Sequence, residues 1–285
     1  MKLRFIYILI IMLASFTSCE KEVKDVKLPR FVRKLVVVSF LSPDDSISLI
    51  RVTSNSPVFG DINQLYDTGT LTGIISNGIT TTTLTACPEG LCFSHEDMKV
   101  EEGLTYSVKI QSSKGLKAEA SCRVPVRNDL GLEADTTITF YEGDGYNPRY
   151  VITSKIYLRD PPGEDNYFRF FCKALIYDEG FYYYPEKHRL IGSEDEIFTD
   201  NRSEGSRMLV NTVISDIYPK SDSAFLVFYI LNTDEAYYLY HKSLEGYSGR
   251  GDDPFTEISP VYSNVNGGLG IFAAYSADSL VLRVK

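Results

Sequence analysis

The sequence predicts a mainly β protein: an N-terminal immunoglobulin-like β-sandwich followed by a second β-rich domain with one α-helix. Three observations lead there. Short runs rich in Val, Ile, Thr, Tyr and Phe recur along the chain, separated by turn-forming residues. Tyrosine (20) and phenylalanine (16) are abundant while tryptophan is absent, and both residue types suit half-buried sheet faces. Only one segment carries a strong helical signature.

Residues 1–18 read as an export signal. Lys2 and Arg4 are followed by the uncharged apolar run Phe5 to Phe16, then by Thr17, Ser18 and Cys19. The run is too short to span a bilayer as a permanent helix. Small residues ending on a cysteine predict a lipoprotein. The Cys19 thiol takes diacylglycerol, the chain is cut before it, and the new amine is open to acylation. Phe16 stands where a leucine-like residue is commoner, so the motif is a relaxed one. The competing reading is an ordinary signal with an incidental cysteine. Against it, Glu20, Lys21 and Glu22 open a charged tether (19–33) with no A-x-A cleavage pattern. Each buried methylene contributes about 0.8 kcal/mol, so two or three acyl chains on Cys19 would hold the chain on a membrane.

The first domain is expected over 34–126. KLVVVSFL from Lys34 reads as a strand ending at a Ser-Pro-Asp-Asp turn, and Ser46 to Val52 alternates polar with apolar residues. Thr70 to Ile75 and Ile79 to Thr85 form an expected hairpin around Asn77-Gly78, which supplies the positive φ of a tight turn. Gly103 to Val124 holds another pair around Lys114-Gly115, closed by Pro125. Several short strands with regular turn signals point to an immunoglobulin-like sandwich.

The second domain is expected over 127–285, after the polar stretch Arg127 to Glu133. Strands are predicted at 136–141, 150–158, 168–177, 181–184, 208–214 and 224–231, with DPPGEDN (160–166) as a turn. The helix is predicted near 233–246, starting at Thr233 or Asp234, with Thr233 as its cap, acids in its first turn and Gly246 as its stop. A last strand is expected from Leu280 to Val284.

The formal net charge is −9, and cleavage before Cys19 removes Lys2 and Arg4 but no acid, taking it to −11. So acidic a chain lacks the basic footprint that phosphate backbones require, which argues against nucleic acid as a partner. It also disfavours adhesion to anionic headgroups, leaving membrane contact to the acyl chains. Export favours disulfides. Cys87 and Cys92 flank Pro88-Glu89-Gly90-Leu91, a spacing that favours a local bridge over two free thiols. A metal site there is disfavoured because His95 stands alone. Cys122 and Cys172 lie in strand-like runs and are expected to be buried free thiols.

Chemistry is hard to find. The histidines are His95, His188 and His241, none beside a recognisable nucleophile motif, and no phosphate-binding loop or zinc-protease motif occurs. No cofactor is expected. Glu194-Asp195-Glu196 reads as a solvated loop, and Asp144 and Asp165 lack the spacing of a calcium loop. Arg250-Gly251-Asp252 is a triplet common by chance. Asp-Ser/Thr sequences at Ser46, Thr136, Ser223 and Ser279 resemble an O-glycosylation signal of secreted Bacteroidota proteins. Tyr182, Tyr183 and Tyr184 suggest an aromatic platform, although alternation between core and interface explains them more simply.

The stretch from Asp253 to Ser279 carries a sharper signal. Pro260-Val261-Tyr262-Ser263-Asn264, Gly267-Gly268-Leu269-Gly270-Ile271-Phe272 and Ala274-Tyr275 resemble the closing phrase of an uncharacterised family of Bacteroidota outer-membrane lipoproteins. CEKEV, KLVVVSFLSPDD and DPPGEDNYFRF resemble further elements of that family, so the likeness spans most of the chain. Members are often encoded beside TonB-dependent receptors. The resemblance implies a non-enzymatic, lipid-anchored accessory at the outer membrane, facing the cell surface or the periplasm, that assists such a transporter in substrate capture or assembly. It supplies no catalytic residues. Alternatives are a free-standing glycan- or peptide-binding adhesin and a hydrolase using acidic side chains.

Overall fold

Alternation of apolar and polar residues along each strand decides which face is buried, and the structure follows that period closely. The computed structural model describes residues 31–57, 68–142, 149–163, 165–178, 181–183, 197–200, 205–217, 223–248 and 260–284. Cys19 and the tether to Arg30 lie outside these residues, as do His188, Tyr184, Glu194 to Glu196, Asp144 and Arg250 to Asp252. The protein is mainly β, with one helix.

The N-terminal strands are β1 (Leu35–Leu41), β2 (Ile47–Ser54), β3 (Leu71–Ser76), β4 (Thr81–Thr83), β5 (Thr85–Cys87), β6 (Gly90–Ser94), β7 (Thr105–Ser112) and β8 (Lys117–Arg123). They form two sheets, β1-β2-β6-β5 and β4-β3-β7-β8. That order matches the two sheets of an immunoglobulin-like sandwich. Leu35, Val37, Ile50, Phe93, Tyr106, Val108 and Ile110 meet between them. Fully burying one such side chain contributes about 2 kcal/mol, so this core is the main stabiliser of the lobe.

Tyr106, fully buried at the start of β7, donates its hydroxyl to the Lys99 carbonyl (2.9 Å) and accepts from the Glu101 N–H (2.8 Å). This is the tyrosine corner of such sandwiches. β5 and β6 form a hairpin through Pro88 and Glu89, across which Cys87 and Cys92 are disulfide-bonded with Cα atoms 6.0 Å apart. Cys122 and Cys172 are free and buried.

The C-terminal strands are β9 (Glu133–Tyr141), β10 (Arg149–Arg159), β11 (Tyr167–Asp178), β12 (Phe181–Tyr183), β13 (Ile197–Thr199), β14 (Arg207–Ile217), β15 (Ser223–Thr233) and β16 (Leu269–Arg283). The sheet β14-β10-β9 packs over β11, β15 and the end of β16, enclosing Ile152, Ile156, Phe168, Phe170, Leu226 and Phe228. β16 links the lobes. Its first residues run parallel to β1 (Val36↔Leu269 to Leu41↔Ala274), and its remainder runs antiparallel to β15 (Thr233↔Tyr275 to Phe225↔Arg283). One nine-stranded sheet therefore passes through both lobes. Helix α1 (Glu235–Ser248) lies on its outer face, where Tyr237 packs with Phe40, Ile271 and Ala273.

One expectation needs correction here. The final strand begins at Leu269 rather than Leu280, because the small residues of LGIFAAY are packed on both faces: Ala273 lies under the helix, Ala274 in the core of the first sandwich, and both are completely buried. Asn77-Gly78 turns the β3–β4 hairpin as expected: Gly78 takes a φ of 84°, and the Asn77 N–H donates to the Thr80 carbonyl (3.2 Å). Residues 77–80 loop between paired Ser76 and Thr81, and Asn77 Oδ1 accepts the N–H groups of Ile79 and Thr80.

Candidate functional site: a polar cleft between the lobes

Where β15 leaves the sheet and α1 begins, the chain must satisfy the first N–H groups of a helix. Asp234 does so. Its Oδ1 accepts the Tyr237 N–H (2.8 Å), and its Oδ2 faces the Ala274 N–H of β16 (3.3 Å). Its own N–H donates to the Ala274 carbonyl (3.0 Å). Asp234, not Thr233, is thus the cap; Thr233 Oγ1 donates instead to the Tyr167 carbonyl (3.2 Å).

Asp234 also lines a cleft of about 450 Å³ between the lobes. One wall comes from Ser121, Arg123 and Thr105 of the first sandwich, the floor from Val126 and Asn128 of the linker, and the other wall from Asp165, Asn166, Tyr167 and Asn232. Asn232 fixes the linker to β15 by donating to the Val126 carbonyl (3.1 Å).

The DPPGEDN loop supplies the second wall and is held by buried carboxylates. Asn166 donates its N–H (2.8 Å) and Nδ2 (3.2 Å) to Asp200 Oδ2, while Asp160 Oδ2 accepts the Gly205 N–H (2.6 Å). Asp160 and Asp200 are essentially inaccessible, so they serve the loop's shape.

The electrostatics are those of a partly desolvated anionic site. Burial pushes the Asp234 carboxyl up to about 7, against the lowering effect of its two backbone donors. Burial raises Tyr167 as well, helped by Glu235, Asp165 and Asp200. Cys122 touches the cleft but is buried, and burial followed by Asp234 pushes its thiol well above the ordinary range, which leaves no thiolate nucleophile at neutral pH. The polar groups facing the cleft are amides, hydroxyls, carboxylates and the Arg123 guanidinium, beside comparable apolar surface from Pro125, Val126 and Ala236. They can bind a polar ligand by hydrogen bonds and charge.

His95 and His241 lie away from this cleft, and the topology adds a pairing that sequence spacing hides. Ser48 Oγ lies 2.8 Å from His95 Nε2, and Asp45 acts on the same imidazole. Ser48 is only 2% exposed, so a substrate cannot reach its hydroxyl, and His95 stacks on Phe93 as part of the lobe's end. His241 packs between Phe40 and Tyr237, with Nδ1 2.9 Å from the Tyr237 carbonyl. Asp165, by contrast, lines the cleft; among the described residues no three His, Cys, Asp or Glu side chains cluster to hold a metal. Tyr182 and Tyr183 belong to β12, and their side chains lie outside the described residues.

The closing phrase of the sequence folds as architecture. Asn264 accepts the Phe272 N–H (3.0 Å) and donates to the Phe272 carbonyl (2.8 Å), tying the approach to the strand itself. At Gly270, φ is 105° and a Cβ would lie 2.0 Å from the Val37 carbonyl oxygen. Only glycine permits that approach of β16 to β1.

No curated protein matches the chain. Two solved structures align over 86% of it: a biofilm-associated protein B domain (8% identity, 85% of that chain, TM-score 0.17) and a biofilm-associated protein BSP domain (9% identity, 58% of that chain, TM-score 0.18). Superpositions that poor carry no argument. A family model does match, from residue 21 to residue 280, and on that match the chain belongs to the family described as Domain of unknown function (DUF4249).

Proposed function

We propose that this protein is a lipid-anchored outer-membrane accessory that captures a polar ligand for a TonB-dependent transporter. The observation that carries the capture step is the inter-lobe cleft, lined by Asn128, Asp165, Tyr167, Asp234 and Arg123. Acyl chains on Cys19 supply the anchor in this reading, and the charged Glu20-Lys21-Glu22 tether suits display on the cell surface. The transporter context rests on the sequence resemblance. Purification of the full acylated chain from detergent-solubilised outer membrane is the test. A TonB-dependent receptor in the eluate is the expected result, and a chain that elutes alone overturns the reading.

One observation favours a second reading, a glycan- or peptide-binding adhesin. Half-buried Phe171 and Tyr229 stack at 4.9 Å on the outer sheet face, with Lys173 Nζ 5.6 and 5.5 Å from the two rings. Glycan-array binding that is lost in Tyr229→Ala would support it, and an array without signal would dismiss it.

A further inference from the structure

β9 is an edge strand of unusual exposure. It pairs with β10 in unbroken register from Glu133↔Tyr157 to Tyr141↔Arg149, and it ends the β14-β10-β9 sheet. Among the described residues no strand pairs with its outer edge. Eight of its nine residues are exposed, including Ile138, Phe140 and Tyr141 at 40, 46 and 54%.

The register shows why. Ala134, Thr136, Ile138 and Phe140 lie opposite Ile156, Ser154, Ile152 and Tyr150, so they continue the inner face of the sheet. Ile152 and Ile156 are in the core, whereas Ile138 and Phe140 overhang it. Proteins normally guard such an edge with lysine, proline or a bulge. EADTTITFY contains no lysine and no proline, and no register shift interrupts its ladder with β10. Its last six residues are uncharged and β-prone.

We infer that β9 pairs antiparallel with β9 of a second copy, about a two-fold axis at Thr137. The sequence of the strand selects this occupant. Centred on Thr137, the pairing sets Glu133 opposite the partner's Tyr141, and Asp135 opposite the partner's Thr139. Each carboxylate then faces a hydroxyl donor rather than another acid. On the other face, Thr136 meets the partner's Ile138 and Ala134 meets the partner's Phe140, joining the two overhanging strips. A parallel arrangement would stack acid on acid, which is destabilising across strands. Because each copy spends its one β9 edge, the assembly closes at two and does not grow into a fibre.

Cysteine crosslinking of the full chain tests the register. Thr137→Cys places two thiols directly across the axis, where opposed Cα atoms are about 4.5–5.5 Å apart, within disulfide range. Thr139→Cys places its thiols four residues out of register, roughly 13 Å apart along the strands. Among the described residues Cys122 and Cys172 are buried and Cys87 is bonded to Cys92, and a Cys19→Ser background serves as the control for the remaining thiol.

Mild oxidation at less than one chain per detergent micelle is expected to crosslink most of Thr137→Cys and to leave Thr139→Cys at background. Sedimentation equilibrium in density-matched detergent is expected to show a dimer, weakened at least tenfold by Thr137→Lys, which opposes two ammonium groups at an exposed position. Equal crosslinking of the two cysteine variants, a monomer at every concentration, or a dimer indifferent to Thr137→Lys overturns the inference.

Discussion

Replacing Asp234 by Asn separates the two properties of this residue, its cap geometry and its charge. Burial holds the carboxyl at about 7, compared with 3.8 for an unperturbed aspartate. Between roughly pH 4 and 7 the folded chain therefore keeps a proton that the unfolded chain has released. Stability from this group is fully present below the unfolded value and is lost as pH rises through the folded one. Three pKa units at 1.36 kcal/mol each set a ceiling of about 4 kcal/mol on that loss.

Asn keeps an acceptor for the Tyr237 N–H, and Asn caps a helix about as well as Asp does. It carries no charge to desolvate. At pH 4 the two proteins should differ by no more than about 1 kcal/mol, since Asn sets an amide donor towards the Ala274 N–H where the acid has a hydroxyl. Above pH 7 Asp234→Asn should be the more stable, by up to the ceiling. Urea unfolding followed by tyrosine fluorescence at half-unit pH intervals measures the difference curve. Other titrating groups, including His95, His241 and Asp45, are present in both proteins and cancel. A difference that stays flat from pH 4 to 8 would refute the reasoning, because the carboxylate would then be as well solvated in the folded chain as in the unfolded one.

Gly270→Ala should abolish folding, since its Cβ would sit 2.0 Å from the Val37 oxygen at a φ of 105°; loss of soluble expression and of the β-sheet circular dichroism signal reports it. Tyr106→Phe leaves the Lys99 carbonyl and Glu101 N–H without their buried partner, and chemical denaturation should show a loss of about 2 kcal/mol. Replacing Cys87 and Cys92 together by Ser removes a short closed loop, for which chain entropy gives about 2 kcal/mol; the same denaturation assay should register that loss, with the hairpin otherwise retained.

Strand positions were legible where β-branched residues alternate with polar ones, as in KLVVVSFL and SISLIRV, because that period follows from the pleat alone. The helix was legible from its spacing and the acids of its first turn, although its cap is Asp234 rather than Thr233. The first half of β16 was not, since its glycines and alanines carry no strand propensity of their own, and their use as strand residues depends on the helix on one face and the sandwich core on the other. The tyrosine corner needs Lys99 and Tyr106 to meet across a bend, which no local pattern states. The cleft was hidden for the same reason. Asp165 and Asn166 read as turn formers, Asp234 as the start of a helix and Arg123 as a strand residue. Only the return of the chain at β15 brings them together. An acid directly after a buried strand was the one local signal, and it pointed equally to a plain helix start.

The shared strand bears on how the cleft can work. Two lobes joined by a flexible linker are expected to move relative to one another. Here the connection is a β-ladder: β16 passes from β1 to β15 between Ala274 and Tyr275 without an intervening loop. A hinge would have to bend that strand where Asp234 grips both the N–H and the carbonyl of Ala274, and where Ala273 and Ala274 are packed solid. Hinges are found in loops and at element ends, not in the middle of a central strand under a helix. The cleft is therefore a preformed site rather than a clamp. In the proposed capture role a ligand entering it would lose little to reorganisation of the lobes, and Asp234, held by two backbone N–H groups, would be its fixed polar contact. Titration of Asp234 near neutrality then alters the charge of the site without altering its shape, so ligand charge, more than ligand size, should decide how capture varies with pH.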